Sequence, residues 1–279
     1  MSDNLMSRRK FLVSAGTVAA AAGLAGVGLA KMAPEAGAVG TMPPWPYPTD
    51  VAKQPVPETL ARRAYEVYYS SGCAEATWWP IVEFLAQDAA NASTWATLPR
   101  NVFKFGGGGV GGWGTLCGTC NGSAAIIALC GGHAKITDEI MQYYGETPLP
   151  TNGIDKAFAT GWTPTPIAPA TTIAQPLPNV PTSTAHSQLC HASLSQWTMT
   201  TGKNDGSAEQ KDRCAKACYD MVLKTTTLLN AYFLDKANVP LGALDGTIAS
   251  CQVGCHSSAK GKMACDSCHD ETGAGPHDH

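Results

Sequence analysis

Charge is scarce in this chain: Asp, Glu, Lys and Arg make up 15% of its 279 residues, and the formal net charge is only −3. Nucleic-acid binding needs a basic face to counter phosphate, so that function has no support. Long apolar runs are scarce too. Past the N-terminal stretch ending near Ala30, nothing approaches the ~20 residues that span a bilayer. No run alternates apolar and polar residues convincingly, which argues against a sheet. The glycines of the middle region follow no strand and no G-K-[ST] accompanies them, so a nucleotide site is not indicated.

Cysteine, in contrast, is abundant, with 11 residues. Four fall in the C-terminal tail, CQVGCHSSAKGKMACDSCHD, as two Cys-Cys-His runs: Cys251, Cys255 and His256, then Cys265, Cys268 and His269. The second run is C-x-x-C-H, the spacing at which two thiols add across the porphyrin vinyls while the adjacent histidine reaches the iron. The first has three intervening residues and is a looser match supported by its neighbour. The alternatives are a four-cysteine zinc site built from both runs or a redox dithiol; neither explains the repeated histidine. Two haems c are therefore expected, with His256 and His269 as proximal ligands. The tether SSAKGKMA, at about 3.3–3.6 Å per extended residue, holds the two porphyrins close.

At the other end, SRRKFL (Ser7–Leu12), an Ala/Gly-rich apolar stretch and Ala36-Gly37-Ala38 read as a twin-arginine export signal over residues 1–38. Retention as a membrane anchor is the competing reading. Once the signal is removed, no stable membrane insertion is expected, and the location is periplasmic. Twin-arginine export carries folded proteins, whereas haem c is attached after export. A second cofactor, loaded earlier and held in the body, follows from that mismatch.

Residues 39–57 form a proline-stiffened arm. Residues 58–245 are expected to be an all-α, bundle-like domain with long Pro/Gly-rich loops, and 246–279 the di-haem tail packed at one end. Helices are predicted over Glu58–Ser70, Cys73–Thr97, Asn121–Tyr144, Thr184–Met199 and Ser207–Ala237. The segment 147–181 between the third and fourth is too rich in proline for a helix. With so few charges, much of the surface is expected to lie under haem, loops or a partner subunit.

Seven cysteines remain in the body. FKFGGGGVGGWGTLCGTCNG (Phe103–Gly122) removes side chains so that backbone amides can approach something closely, then presents Cys117 and Cys120 at the mouth of a helix, where thiolate is favoured. Cys214 and Cys218 stand i, i+4 on one helix face. Cys190 sits beside His191, and Cys73 opens the second helix. An iron–sulfur cluster explains both these thiols and the folded-export leader; ordinary disulfides are the alternative. Of the remaining histidines, His191 and His186 are favoured as sixth haem ligands, with His133, His277 and His279 read as capping or solvated. Trp113, Trp162 and Trp197 are read as packing residues rather than an electron route.

GCAEA at Gly72, FGGGGVGGWGTLCG ending at Gly118, LCHASLSQW from Leu189 and KDRCAKACYDMVLKTTTLLN from Lys211, followed by the haem tail, resemble the split-Soret cytochrome c family. The earlier segments also resemble the wider redox-associated group with a C-GCAxxG-C-C pattern. The resemblance covers most of the chain from about Ala61 onward. It implies a helical homodimer with two close c-type haems per subunit and a [2Fe–2S]-type centre, working with other redox proteins in electron transfer. By segment it implies Cys73, Cys117, Cys190 and Cys214 as cluster ligands. Cys120, Cys130 and Cys218 depart from the family pattern, so Cys120 or Cys218 in place of Cys73 stays open. An electron carrier without substrate chemistry is thus the leading expectation. The alternatives are a haem-based reductase of a small oxidised nitrogen or sulfur species, and a subunit of an extracellular cytochrome assembly with structural disulfides.

Overall fold

A computed structural model describes residues 45–132, 134–173 and 176–242. The signal sequence, His133 and the whole haem tail, with Cys251, Cys255, His256, Cys265, Cys268, His269, His277 and His279, lie outside these described residues.

Among the described residues the regular structure is helical: α1 Pro57–Ser71, α2 Cys73–Leu85, α3 Ala92–Trp95, α4 Gly118–Leu129, α5 Ala134–Glu146, α6 Asp155–Ala159, α7 Cys190–Thr201 and α8 Ala208–Leu234. Strand pairing among them is confined to two isolated bridges, Leu116 with Leu189 and Leu149 with Ser183. Helix α1 packs against α8 and α2, α2 against α4, and α5 against α4 and α8. Trp78, Trp95, Trp197, Tyr65 and Tyr144 are the bulkiest fully buried rings. The all-α expectation holds for this region.

The ends of α1 and α8 follow from local chemistry. Pro57 opens α1, where its missing N–H costs nothing. Ser207 caps α8 by accepting from Gln210 N at 3.1 Å, and Gln210 Oε1 accepts from Gly206 N at 3.2 Å. The proline-stiffened arm packs against α3 and the far end of α8: Trp95 Nε1 of α3 donates to Pro46 O at 2.7 Å, and Tyr47 Oη donates to Asn230 Oδ1 of α8 at 2.7 Å.

Three predicted boundaries are corrected. The second helix stops at Leu85 rather than Thr97 because Asp88 takes the backbone into a turn, accepting from Ala90 N at 3.0 Å. The third is broken after Leu129, where Gly131 turns into the left-handed region at φ 69° and the next helix restarts at Ala134. The fourth begins at Cys190, not Thr184, because the preceding residues are extended: Gln188 O accepts from Cys117 N at 2.9 Å. A fourth correction is α6, a short helix inside the segment read as too proline-rich. It falls in the gap GIDKAFA between the prolines, and α8 anchors it through Lys216.

Candidate thiol-lined redox site

Cys73 is the first residue of α2, Cys117 the N-cap of α4 and Cys190 the first residue of α7. Cys214 lies one and a half turns into α8. All four line a single cavity of about 330 Å³. Three helix N-termini therefore open onto the same space. Each turns the positive end of its dipole toward that space, worth about 0.3–1 kcal/mol apiece for a neighbouring anion.

Two reciprocal contacts hold the starts of α4 and α7 side by side: Cys117 N donates to Gln188 O at 2.9 Å and Cys190 N to Thr115 O at 2.8 Å. Close approach does the same for α2 and α4. A Cβ on Gly118 would stand 2.4 Å from Cys73 Sγ, and one on Gly122 2.3 Å from Ala74 O. No residue larger than glycine fits either place without movement. Glu75, fully buried, accepts from Asn101 N at 2.7 Å and Phe103 N at 3.1 Å, which pins the entry of the glycine-rich loop to α2.

That loop behaves differently from the sequence expectation. Most of its amides bond to the loop's own carbonyls: Gly111 N to Phe105 O, Gly112 N to Gly107 O, Gly114 N to Gly108 O and Thr115 N to Gly109 O. The glycines serve conformation and closeness instead. Gly114 has φ 71°, and a Cβ there would lie 2.8 Å from His191 Cβ. What the loop offers the cavity is a wall without side chains, at Gly108, Gly112 and Gly114.

The sulfurs are electrostatically unequal. Cys117 is held well below the ordinary thiol range because Cys190 and Cys73 donate to it, with Thr119 and Tyr144 also near. Cys73 and Cys190 are pushed up by the same contacts, since each supplies a proton that the Cys117 thiolate uses. Cys73, Cys117 and Cys190 thus form one hydrogen-bonded group with Cys117 as the acceptor. Cys120, Cys130 and Cys218 are fully buried, absent from the cavity wall and pushed up by burial, the state of inert thiols. None of the seven described cysteines is in a disulfide.

Arg213 is the strongest signal at the site. Its side chain is only 3% exposed. One guanidinium nitrogen donates to Ser193 Oγ at 2.6 Å and another faces Cys214 Sγ at 3.8 Å. Its Nε has no partner, and among the described residues no carboxylate pairs with it. A buried cation without a counter-ion is costly unless the adjoining space carries negative charge. The Tyr144 hydroxyl beside Cys117 is likewise buried without a partner of good geometry. Gln210, which closes the α8 cap, also donates to Cys214 Sγ at 3.1 Å.

This donor set fits an anionic, sulfur-ligated group. Four soft thiols, two orphaned donors and three helix N-termini surround a cavity larger than one ion needs. Among the described residues, no three His, Cys, Asp or Glu side chains converge tightly enough to hold a single metal ion. A multi-atom iron–sulfur centre bridges sulfurs spaced around a cavity in a way that one zinc ion does not.

The two favoured histidines separate. His191 lies on the cavity wall beside Cys190. His186 is half exposed, with φ 48°, and its Nδ1 meets Glu146 Oε2 at 3.0 Å. Sequence reasoning missed Arg213, Tyr144, Tyr68 and Gln210. None left a trace in the sequence: Arg213 stands among Lys211, Asp212 and Lys216, as on any charged helix turn.

Three comparisons bear on the whole. Residues 73–231 match the model of a family described as "Putative redox-active protein (C_GCAxxG_C_C)". Split-Soret cytochrome c of Desulfovibrio desulfuricans is 26% identical over 235 residues, covering 78% of this chain and 76% of that protein. A solved structure of that cytochrome, described as revealing a novel iron centre, aligns with a TM-score of 0.63 at 25% identity, over 79% of this chain and 90% of its own.

Proposed function

The chain belongs to the C_GCAxxG_C_C family of redox-active proteins as a split-Soret cytochrome-like member, and on that footing we propose that it is an exported electron-transfer cytochrome carrying two haems c and an iron–sulfur centre. Cys73, Cys117, Cys190 and Cys214 would hold the centre, with [2Fe–2S] the preferred type. Cys251, Cys255, Cys265 and Cys268 would carry the haems, with His256 and His269 as proximal ligands and His191 and His186 as candidates for the distal positions. When bound, these groups supply one-electron chemistry.

The residues around the cavity have separate tasks. Arg213 and the three helix N-termini offset the negative charge of four thiolates, which stabilises their deprotonated form. Gln210 and Tyr144 aim donors at sulfur and orient it. The glycine wall leaves room for a group of several atoms.

A periplasmic location after twin-arginine export, a homodimeric state and dealings with other redox proteins complete the proposal. Among the described residues no helix is long and apolar enough to cross a membrane.

The observation that carries this reading is Arg213, buried and without a carboxylate partner at a cavity ringed by four thiols. The test is a count of haem, non-haem iron and acid-labile sulfide per polypeptide in natively matured protein. Two haems with matching iron and sulfide are expected. An intact mass equal to that of the bare polypeptide, or haem without non-haem iron and sulfide, overturns it.

A further inference from the structure

A file of aromatic rings leads away from the thiol cavity. Tyr68 forms part of the cavity wall and lies beside Cys214, Cys218 and Cys73. It meets Tyr69 edge to face with ring centroids 5.4 Å apart, and Tyr69 meets Tyr65 at 5.5 Å. Tyr65 in turn meets Trp162 at 6.2 Å. Trp162 is half-buried, stacked on Phe158 at 5.4 Å, and borders two surface grooves. The file joins the cavity to the outside of the molecule without a gap.

Packing explains rings in contact, but not the polar group at the middle of the file. Tyr65 is wholly buried, and its Oη donates to Asp212 Oδ1 at 2.5 Å. Tyr69 Oη reaches the same oxygen at 3.4 Å. Asp212 is itself 1% exposed, accepts from Leu177 N at 3.0 Å and lies 3.8 Å from Lys216 Nζ. A phenol bonded to a buried carboxylate can release its electron and proton together, which avoids a charged phenol radical in a low-dielectric interior.

We infer that Trp162, Tyr65, Tyr69 and Tyr68 form a charge-transfer route between the surface and the thiol cavity, in which Tyr65 is the residue oxidised and Asp212 its proton acceptor. A one-electron oxidant arriving at the Trp162 edge takes one electron from the indole. Tyr65 refills the indole, and its phenolic proton passes to Asp212 Oδ1. The products are intact Trp162, a neutral Tyr65 radical, protonated Asp212 and the reduced oxidant. Tyr69 and Tyr68 extend the route to the cavity wall. The inference rests on the proposed redox role only for its use in the cell; the residue chemistry needs no metal.

The test is flash-quench oxidation of the full chain by photogenerated ruthenium(III) tris-bipyridine, followed by transient absorption and freeze-quench EPR, on protein as matured and after iron removal. A tyrosyl radical is expected in both samples. Tyr65→Phe should abolish it while keeping the ring packing. Trp162→Leu should slow its rise. Asp212→Asn should lower its yield, because the phenolic proton then has no acceptor. A tyrosyl signal of unchanged amplitude in Tyr65→Phe, or equal kinetics in Trp162→Leu and the parent, overturns the inference. The two readings fail separately: absence of iron and sulfide sinks the proposed centre and leaves the Tyr65 radical standing, whereas an intact centre with a Tyr65-independent radical sinks only the route.

Discussion

Helix α8 buries a cation on each of two faces and treats the two oppositely. On the side of α6 and the proline-rich segment, Lys216 is fully buried and saturated: its Nζ donates to Asp155 Oδ1 at 2.5 Å, Asn152 Oδ1 at 3.0 Å and Leu177 O at 2.6 Å. Toward the thiol cavity, Arg213 is as deeply buried, yet its hydroxyl and sulfur contacts leave Nε orphaned and its charge uncompensated by any described carboxylate. Saturated donors mark a joint of the fold. An unsaturated cation facing open space marks a place kept for something else. Residues 212, 216 and 220 share one face and 210, 213, 214 and 217 the other, as the helical period requires.

The sharpest break of this comparison removes a sulfur from the open face. Cys117→Ser should eliminate non-haem iron and sulfide altogether, while Cys120→Ser, just one turn along, leaves both in place; metal analysis of the two purified variants checks it. Loss of iron in Cys120→Ser but not Cys117→Ser would reverse the assignment.

On the saturated face, Lys216→Met leaves buried Asp212 and half-buried Asp155 without their cation. A loss of about 3–5 kcal/mol is expected, as for other broken buried pairs, read from urea unfolding of the iron-free protein.

Asp220 gives the saturated face a pH signature. Burial raises its pKa to about 6 despite hydrogen bonds from Thr151 N and Oγ1. For a carboxyl raised in the folded state, the unfolded chain releases its proton first. Stability therefore falls as pH rises from about 4 to 6 and is flat beyond. Asp220→Asn should remove that decline, seen as an unfolding midpoint that stays level across the window where the parent's falls.

Arg213→Gln should have the smallest effect on folding, no more than the ~0.5–1.5 kcal/mol of one hydrogen bond in the iron-free protein. In iron-loaded protein it should lower the midpoint potential of the centre, because a nearby cation favours the more negative, reduced state; Arg213→Lys should restore part of the shift. An EPR-monitored redox titration decides, and a potential unmoved in Arg213→Gln would make the guanidinium merely structural.

Legibility varied with the range of the cause. The starts of α1 and α8, set within one turn by Pro57 and the Ser207–Gln210 cap, fall within one residue of the expectation, whereas α8 ends at Leu234 rather than Ala237. The breaks at Asp88 and Gly131 were in plain view yet lost, since apolar periodicity on both sides masked them. Helix α6 was hidden because its stability comes from Lys216, far along the chain, not from its own five residues. The seven body cysteines stood out at once, but spacing left them equivalent. Only their surroundings separate four on a cavity wall from three sealed in the core.

The sequence alone determined the helical class of the described region and its division into thiol-rich segments, because periodicity, caps and cysteine content are local properties of the chain. The tertiary structure decided which sulfurs share a cavity, that the glycine loop is a bare wall rather than a donor surface, and that Arg213 has no carboxylate partner among the described residues. Those depend on how four distant helix segments close on one another, which no short stretch of chain encodes.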